Sequence, residues 1–242
     1  MKNILIVIGV GMGLATLLGC GLVVWALDTY KADPVAQASA LNDPGVVISE
    51  RDGFLVIRPA AAPSAIGLLF YPGLRIEPKA YLSKLAALSS KARVNIVIGR
   101  PRLNIAAFSI AQADDMRAQL AGIEQWYVGG HSLGGAVACY YASNHRDNVQ
   151  GVVLLGTYCG SDISKSRLRV LAIAAGSDGI MPPETIEQHR VELPADTQIV
   201  RIAGMAHGQF GNYGPQSGDS RPSIDDGQVR EALSEAARAF FH

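Results

Sequence analysis

Six short apolar runs, at 66–71, 94–99, 125–129, 149–155, 168–175 and 197–202, recur along this 242-residue chain without the polar alternation of a half-buried strand. Strands of that kind have no face for water, so they belong in a sheet covered on both sides. Between them come segments with helical spacing, at 78–91, 110–120 and 133–145, followed by 183–191 and 228–241. Such alternation is the pattern of parallel strands joined by crossover helices. Ahead of the series, residues 46–49 and 54–58 are β-rich and joined by Arg51, Asp52 and Gly53, which predicts an antiparallel hairpin at a sheet edge. The expected fold class is α/β, a mostly parallel central sheet with helices on both faces, in one domain over residues 46–242. Hydrophobic residues at 49% against 17% charged supply the apolar area for that core and exclude a disordered chain.

The N-terminus is of another kind. Residues 4–27 carry no charge, and about 20 apolar residues in a helix cross the hydrocarbon core of a bilayer. The expectation is one N-terminal transmembrane helix, so that residues 1–30 are a membrane anchor or signal segment and the membrane is a partner of the chain. Lys2 before the span, against Asp28, Lys31 and Asp33 after it, points to an extracytoplasmic domain. Leu17, Leu18, Gly19 and Cys20 also read as a lipobox, which would make a lipoprotein through Cys20; the apolar residues that follow Cys20 favour the uncleaved anchor. A dinucleotide fingerprint fails in both frames, because Leu14 or Thr16 stands where the last small residue belongs. Residues 31–45, rich in Ala, Asp and Pro without an apolar period, read as a linker, which leaves the domain from Val46 self-sufficient. The balance of 21 basic and 21 acidic side chains argues against nucleic acid as a partner. Cys20, Cys139 and Cys159 are too few and too scattered for a disulfide scaffold or a zinc site.

Gly130, His131, Ser132, Leu133 and Gly134 spell GxSxG between a strand-like and a helix-like segment. That is the context of a nucleophile elbow, in which flanking glycines let a tight turn hold a serine hydroxyl above the sheet edge. The Leu133 N–H, at the start of the following helix, can stabilise an oxyanion. A serine needs a base. Of five histidines, His131 should point away, His145 ends the helix, His189 lies in a charged segment and His242 is terminal, whereas His207 follows a predicted strand. Loops at the carboxyl ends of parallel strands open on one edge, so His207 and Ser132 should meet there. The acid expected between them is Asp178, with Asp162 as the rival.

The texts FYPGLRIEPKAY, GGHSLGGA, LLGTY, GSDGIMPPE and AHGQFGNYG resemble the α/β-hydrolase superfamily over about residues 46–241, and within it a small lidless family-5-like subgroup distantly similar to dienelactone hydrolases. The resemblance implies Ser132 as nucleophile, Asp178 as acid and His207 as base, and it implies Leu74, in Tyr71-Pro72-Gly73-Leu74, as the second oxyanion donor. Pro72 stands where the superfamily usually has histidine. Glu77 reads either as a substrate-side carboxylate or as the cap of the helix begun by Pro78, and the cap is favoured. Only 12 residues separate Leu155 from Leu168, too few for a lid domain, while the glycine-rich stretch 208–227 is expected to shape the mouth of the site.

Together these features lead to a membrane-anchored serine hydrolase acting on a small-molecule ester through an acyl-serine intermediate. The alternatives are an acyltransferase or amidase with the same triad, or a binding module that keeps the fold. No metal or organic cofactor is implied.

Overall fold

The computed structural model describes residues 19–61 and 64–242. Its centre is an eight-stranded sheet in the order β1-β2-β4-β3-β5-β6-β7-β8. The strands are β1 (Val46–Arg51), β2 (Phe54–Pro59), β3 (Ile66–Tyr71), β4 (Asn95–Ile98), β5 (Gln125–His131), β6 (Gly151–Leu155), β7 (Arg169–Ala175) and β8 (Gln198–Ile202). From β4 to β8 every pairing is parallel. β1 and β2 form the expected antiparallel edge hairpin, with Arg51 paired to Phe54. The two residues between, Asp52 at φ +49° and Gly53 at φ +81°, are both left-handed, which is the turn whose twist matches a two-residue hairpin and explains the Asp-Gly pair.

The unalternated strands are covered on both sides. Successive residues of β3 enter opposite cores, Leu68 and Phe70 one, Leu69 and Tyr71 the other. On the first face lie α2 (Leu82–Ala92) and α6 (Asp226–Phe241), which pack against each other. A capping box starts α6: Asp225 Oδ1 accepts from Gln228 N at 2.8 Å and Gln228 Oε1 from Asp225 N at 3.0 Å. The second face is covered by α3 (Gln112–Arg117) and α4 (Leu133–Asn144), with Ile186 of α5 (Pro183–Gln188). α3 is shorter than the apolar spacing over 110–120 predicts.

Residues 19–27 are helical, with Leu22, Val23, Val24, Trp25 and Leu27 exposed. Most of the expected span, residues 4–18, lies outside the described residues, and among those described no helix is long and apolar enough to cross a membrane. The expected linker, residues 31–45, lies against the domain. Pro34–Leu41 form a helix, α1, which packs against α2 and buries Ala40. Asp33 caps it, accepting from Ala36 N at 2.7 Å, and Pro34 occupies the first turn, where its missing N–H is harmless. The start signal was present, but a helix buried along so narrow a stripe shows no apolar period.

Scattered as they are in sequence, Cys139 on α4 and Cys159 in the loop after β6 are joined by a disulfide, with Cα atoms 5.6 Å apart and a sequence separation of 20. A loop of that length should contribute roughly 3 kcal/mol through the unfolded chain. Thiol titration of the denatured, unreduced protein is expected to find Cys20 alone, and reduction should lower the denaturation midpoint accordingly. Three titratable thiols would contradict the bond.

Candidate active site

β5 ends in the tight turn that carries Ser132. The backbone there is at φ +52°, ψ −125°, a region that costs a non-glycine residue on the order of 1–3 kcal/mol. Ser132 N donates to Leu155 O at 2.9 Å, which fixes the turn to the end of β6. Only glycine fits beside it: a Cβ on Gly134 would sit 2.1 Å from Tyr71 O and 2.4 Å from Pro72 O. The helix start is thereby pressed against the end of β3. Leu133 N, first in α4, has no carbonyl a turn behind it, and Leu74 N has no acceptor among the described residues.

The loops after β7 and β8 bring Asp178 and His207 together. Both side chains are fully buried, and His207 Nδ1 lies 2.7 Å from Asp178 Oδ2. The other carboxylate oxygen accepts from Ile180 N at 2.9 Å and Met181 N at 2.7 Å, so the Asp178 carboxylate is held on two sides. His207 Nε2 is buried and has no hydrogen-bond partner among the described residues. Ser132 therefore makes no direct bond to Nε2 here; such catalytic bonds often tighten only in the complex with substrate. Asp162 is elsewhere, capping Ser164 through N at 3.0 Å and Oγ at 2.6 Å. Its carboxyl is held below the ordinary range by those bonds. His145 stacks on Tyr141 and His189 on Tyr158, while His242 reaches Ala92 O. Among the described residues no group of three or more His, Cys, Asp or Glu is placed to hold a metal ion.

Several residues with no sequence signal support this arrangement. His131, expected to point away, is buried directly beside the site, its ring 4.5 Å from that of His207. Tyr81 Oη accepts from Gly73 N at 2.9 Å and lies 2.9 Å from His131 Nδ1, so the phenol donates to the imidazole and ties it to the loop of Leu74. Burial pushes the Tyr81 phenol far up, which keeps that donor protonated. Burial also holds His131 well below the usual histidine range, with His207 adding to the effect. Asp219 accepts from four backbone N–H groups, those of Gly179 (3.1 Å), His207 (3.2 Å), Gly208 (2.8 Å) and Ser220 (2.8 Å). One carboxylate thus joins the Asp178 loop to the His207 loop.

One expectation changes. Glu77 makes no side-chain cap; it accepts from Ala32 N at 3.0 Å and pairs with Lys31 at 3.0 Å. Burial pushes its carboxyl up, but the Ala32 N–H and the Lys31 ammonium more than offset this and leave it below its ordinary value. The stretch 208–227 folds around a cavity of about 440 Å³ whose lining includes Ala206 and Gly208, on either side of His207, with Tyr213, Gln216, Asp219 and Arg221.

A family model described as the alpha/beta hydrolase family matches residues 67–231. A probable proline iminopeptidase of Streptomyces coelicolor is 32% identical over 133 residues, 52% of this chain and 39% of that protein, so the chain spans well under half of that relative's length. Among solved structures, an alpha/beta hydrolase enzyme from the metagenome of Lake Arreo, Spain, superposes with a TM-score of 0.60 at 16% identity, covering 86% of each chain. Est1E from Butyrivibrio proteoclasticus gives 0.57 at 14%, over 81% of this chain and 97% of that one. The carboxylesterase EstE1 from a metagenomic library gives 0.57 at 19%, over 85% and 92%. At these identities the likeness is one of fold.

A histidine whose folded-state pKa is depressed lends stability above its unfolded value and loses it as pH falls. For His131 the loss should begin near pH 6.5, at up to about 1.4 kcal/mol per pH unit. Melting temperatures measured between about pH 7.5 and pH 5 should fall less steeply for His131→Gln than for the unaltered chain. Equal slopes would remove His131 as the cause.

Proposed function

The chain belongs to the alpha/beta hydrolase family, and from that premise we propose that it is a serine hydrolase that cleaves carboxylic esters through an acyl-enzyme. The observation that carries the reading is the conjunction of a strained Ser132 at a helix start with a buried His207–Asp178 pair on the same sheet edge. Ser132 Oγ attacks the ester carbonyl carbon while His207 Nε2 takes its proton. Asp178, bonded to Nδ1, fixes the tautomer that leaves Nε2 free to accept. The negative oxygen of the tetrahedral intermediate is held by the N–H groups of Leu133 and Leu74. Collapse breaks the C–O bond, and His207 returns the proton to the leaving alcohol. Water then attacks the acyl-serine with His207 again as base, which releases the acid and restores Ser132.

The membrane remains part of the proposal through residues 4–27, with the catalytic domain on the extracytoplasmic side. The Cys139–Cys159 bond supports that side, since disulfides persist in oxidising compartments. A second reading, amide hydrolysis, is favoured by the match to a probable proline iminopeptidase. Comparing turnover of p-nitrophenyl esters with that of prolyl p-nitroanilide separates the two.

A fluorophosphonate probe should label Ser132, and Ser132→Ala should lose both labelling and ester hydrolysis, the latter by about a million-fold in turnover. Substantial residual hydrolysis in a pure preparation of that variant would refute Ser132. An unlabelled parent chain would favour a binding module. Asp178→Asn should cost on the order of ten-thousand-fold, while Asp162→Asn should be nearly silent; the reverse ranking would move the acid to Asp162.

A further inference from the structure

Oxyanion donors act only when they stand about 2.7–3.1 Å from the oxygen that becomes charged, so the loop that carries Leu74 must be held. That loop is a turn, closed by Ile76 N donating to Gly73 O at 3.3 Å. Its third residue, Arg75, is left-handed at φ +57°, a position where such turns favour glycine. A strained residue of this kind persists only where its surroundings over-determine it. Inside the domain Arg75 N donates to Asn104 O at 2.9 Å, and further restraints come from the segment that precedes the hydrolase core. Tyr30 N donates to Arg75 O at 2.7 Å and Glu77 N to Tyr30 O at 3.1 Å, so residue 30 adds a parallel bridge alongside Ile76. Arg75 Nε donates to Asp28 O at 2.8 Å, and its guanidinium lies 4.7 Å from the Trp25 ring. Glu77 takes the next two residues, through Lys31 and Ala32 N.

The same short segment grips the base loop. Asp33 N donates to Asn212 O at 2.7 Å, and the Tyr30 ring packs against Tyr213 with centroids 5.6 Å apart. Asn212 and Tyr213 lie just past Gly211, which ends the 3-10 turn His207–Phe210. We propose that residues 28–33, with Tyr30 at their centre, are a positioning element of the active site, clamping the turn that carries the Leu74 N–H against the loop that carries His207. The inference rests on the reading of Ser132, His207 and Leu74 as catalytic groups. It also revises the expectation that a chain starting at Val46 is self-sufficient: such a chain would keep the sheet and lose the clamp.

The test uses the full chain with Tyr30→Ala and Glu77→Ala, and with Tyr30→Phe and Glu77→Gln as conservative partners. Turnover of p-nitrophenyl acetate is expressed per site titrated by a fluorophosphonate, so that unfolded molecules do not count. The alanine variants should lose roughly 10- to 100-fold in kcat per titrated site, as expected for an oxyanion donor displaced by about an ångström, with KM changed less than about threefold. Tyr30→Phe keeps the ring against Tyr213 and Glu77→Gln keeps an acceptor for Ala32 N, so both should restore most of the rate. If both alanine variants keep kcat per site within about twofold, whether or not their melting temperatures fall, the segment is merely structural and the proposal fails. An unlabelled parent chain would instead overturn the serine reading, and this inference with it.

Discussion

Everything at the active edge depends on how closely the start of α4 can approach the end of β3. A side chain at residue 134 would collide with two carbonyl oxygens, those of Tyr71 and Pro72, at distances no real Cβ tolerates. Glycine removes the obstacle and lets the start of α4 lie against the loop that follows β3. The same approach forces Ser132 into its strained turn, so the strain and the juxtaposition have one cause. The rigid sheet beneath supplies the stability that such strain consumes.

The base and acid are held by a different device. Loops after β7 and β8 have no regular structure to align them, and Asp219 performs that task with four N–H donors drawn from both. A carboxylate satisfied by backbone groups is a firm tie, because each charge-assisted bond is stronger than a neutral one. The long stretch 208–227 therefore serves the site from behind, returning a carboxylate to the loops it left.

Much of this was legible in the sequence, and for a stated reason. Unalternated apolar runs such as IGLLFY and GVVLL leave no choice but a sheet covered twice, and GGHSLGG announces both a strand end and a helix start. Turn chemistry at Asp52-Gly53 was equally local. What stayed hidden are contacts between distant segments made by residue types that fit many places. Asp219 looks like any aspartate between glycine and serine, and Tyr81 like an ordinary core aromatic. Cys139 and Cys159 meet because β6 returns beside α4, which no spacing rule reveals. The docking of residues 28–41 was masked because backbone pairing at Tyr30 needs no particular side chain, and α1 buries little more than Ala40.

Two histidines lie with rings 4.5 Å apart, and in the proposed mechanism their surroundings decide which of them would serve as base. A base must carry a positive charge while the tetrahedral intermediate lasts. His131 has no carboxylate partner; its Nδ1 faces the Tyr81 phenol, and burial together with the neighbouring His207 disfavours its charged form. His207 has Asp178 at Nδ1, an anion able to stabilise an imidazolium in a region closed to water. The proton from Ser132 should go to His207 alone, and a neutral His131 fills the space beside it without competing. In the proposed mechanism the GxSxG histidine would thus act by remaining uncharged, and through Tyr81 and Gly73 it joins the same buried network to the loop that carries Leu74.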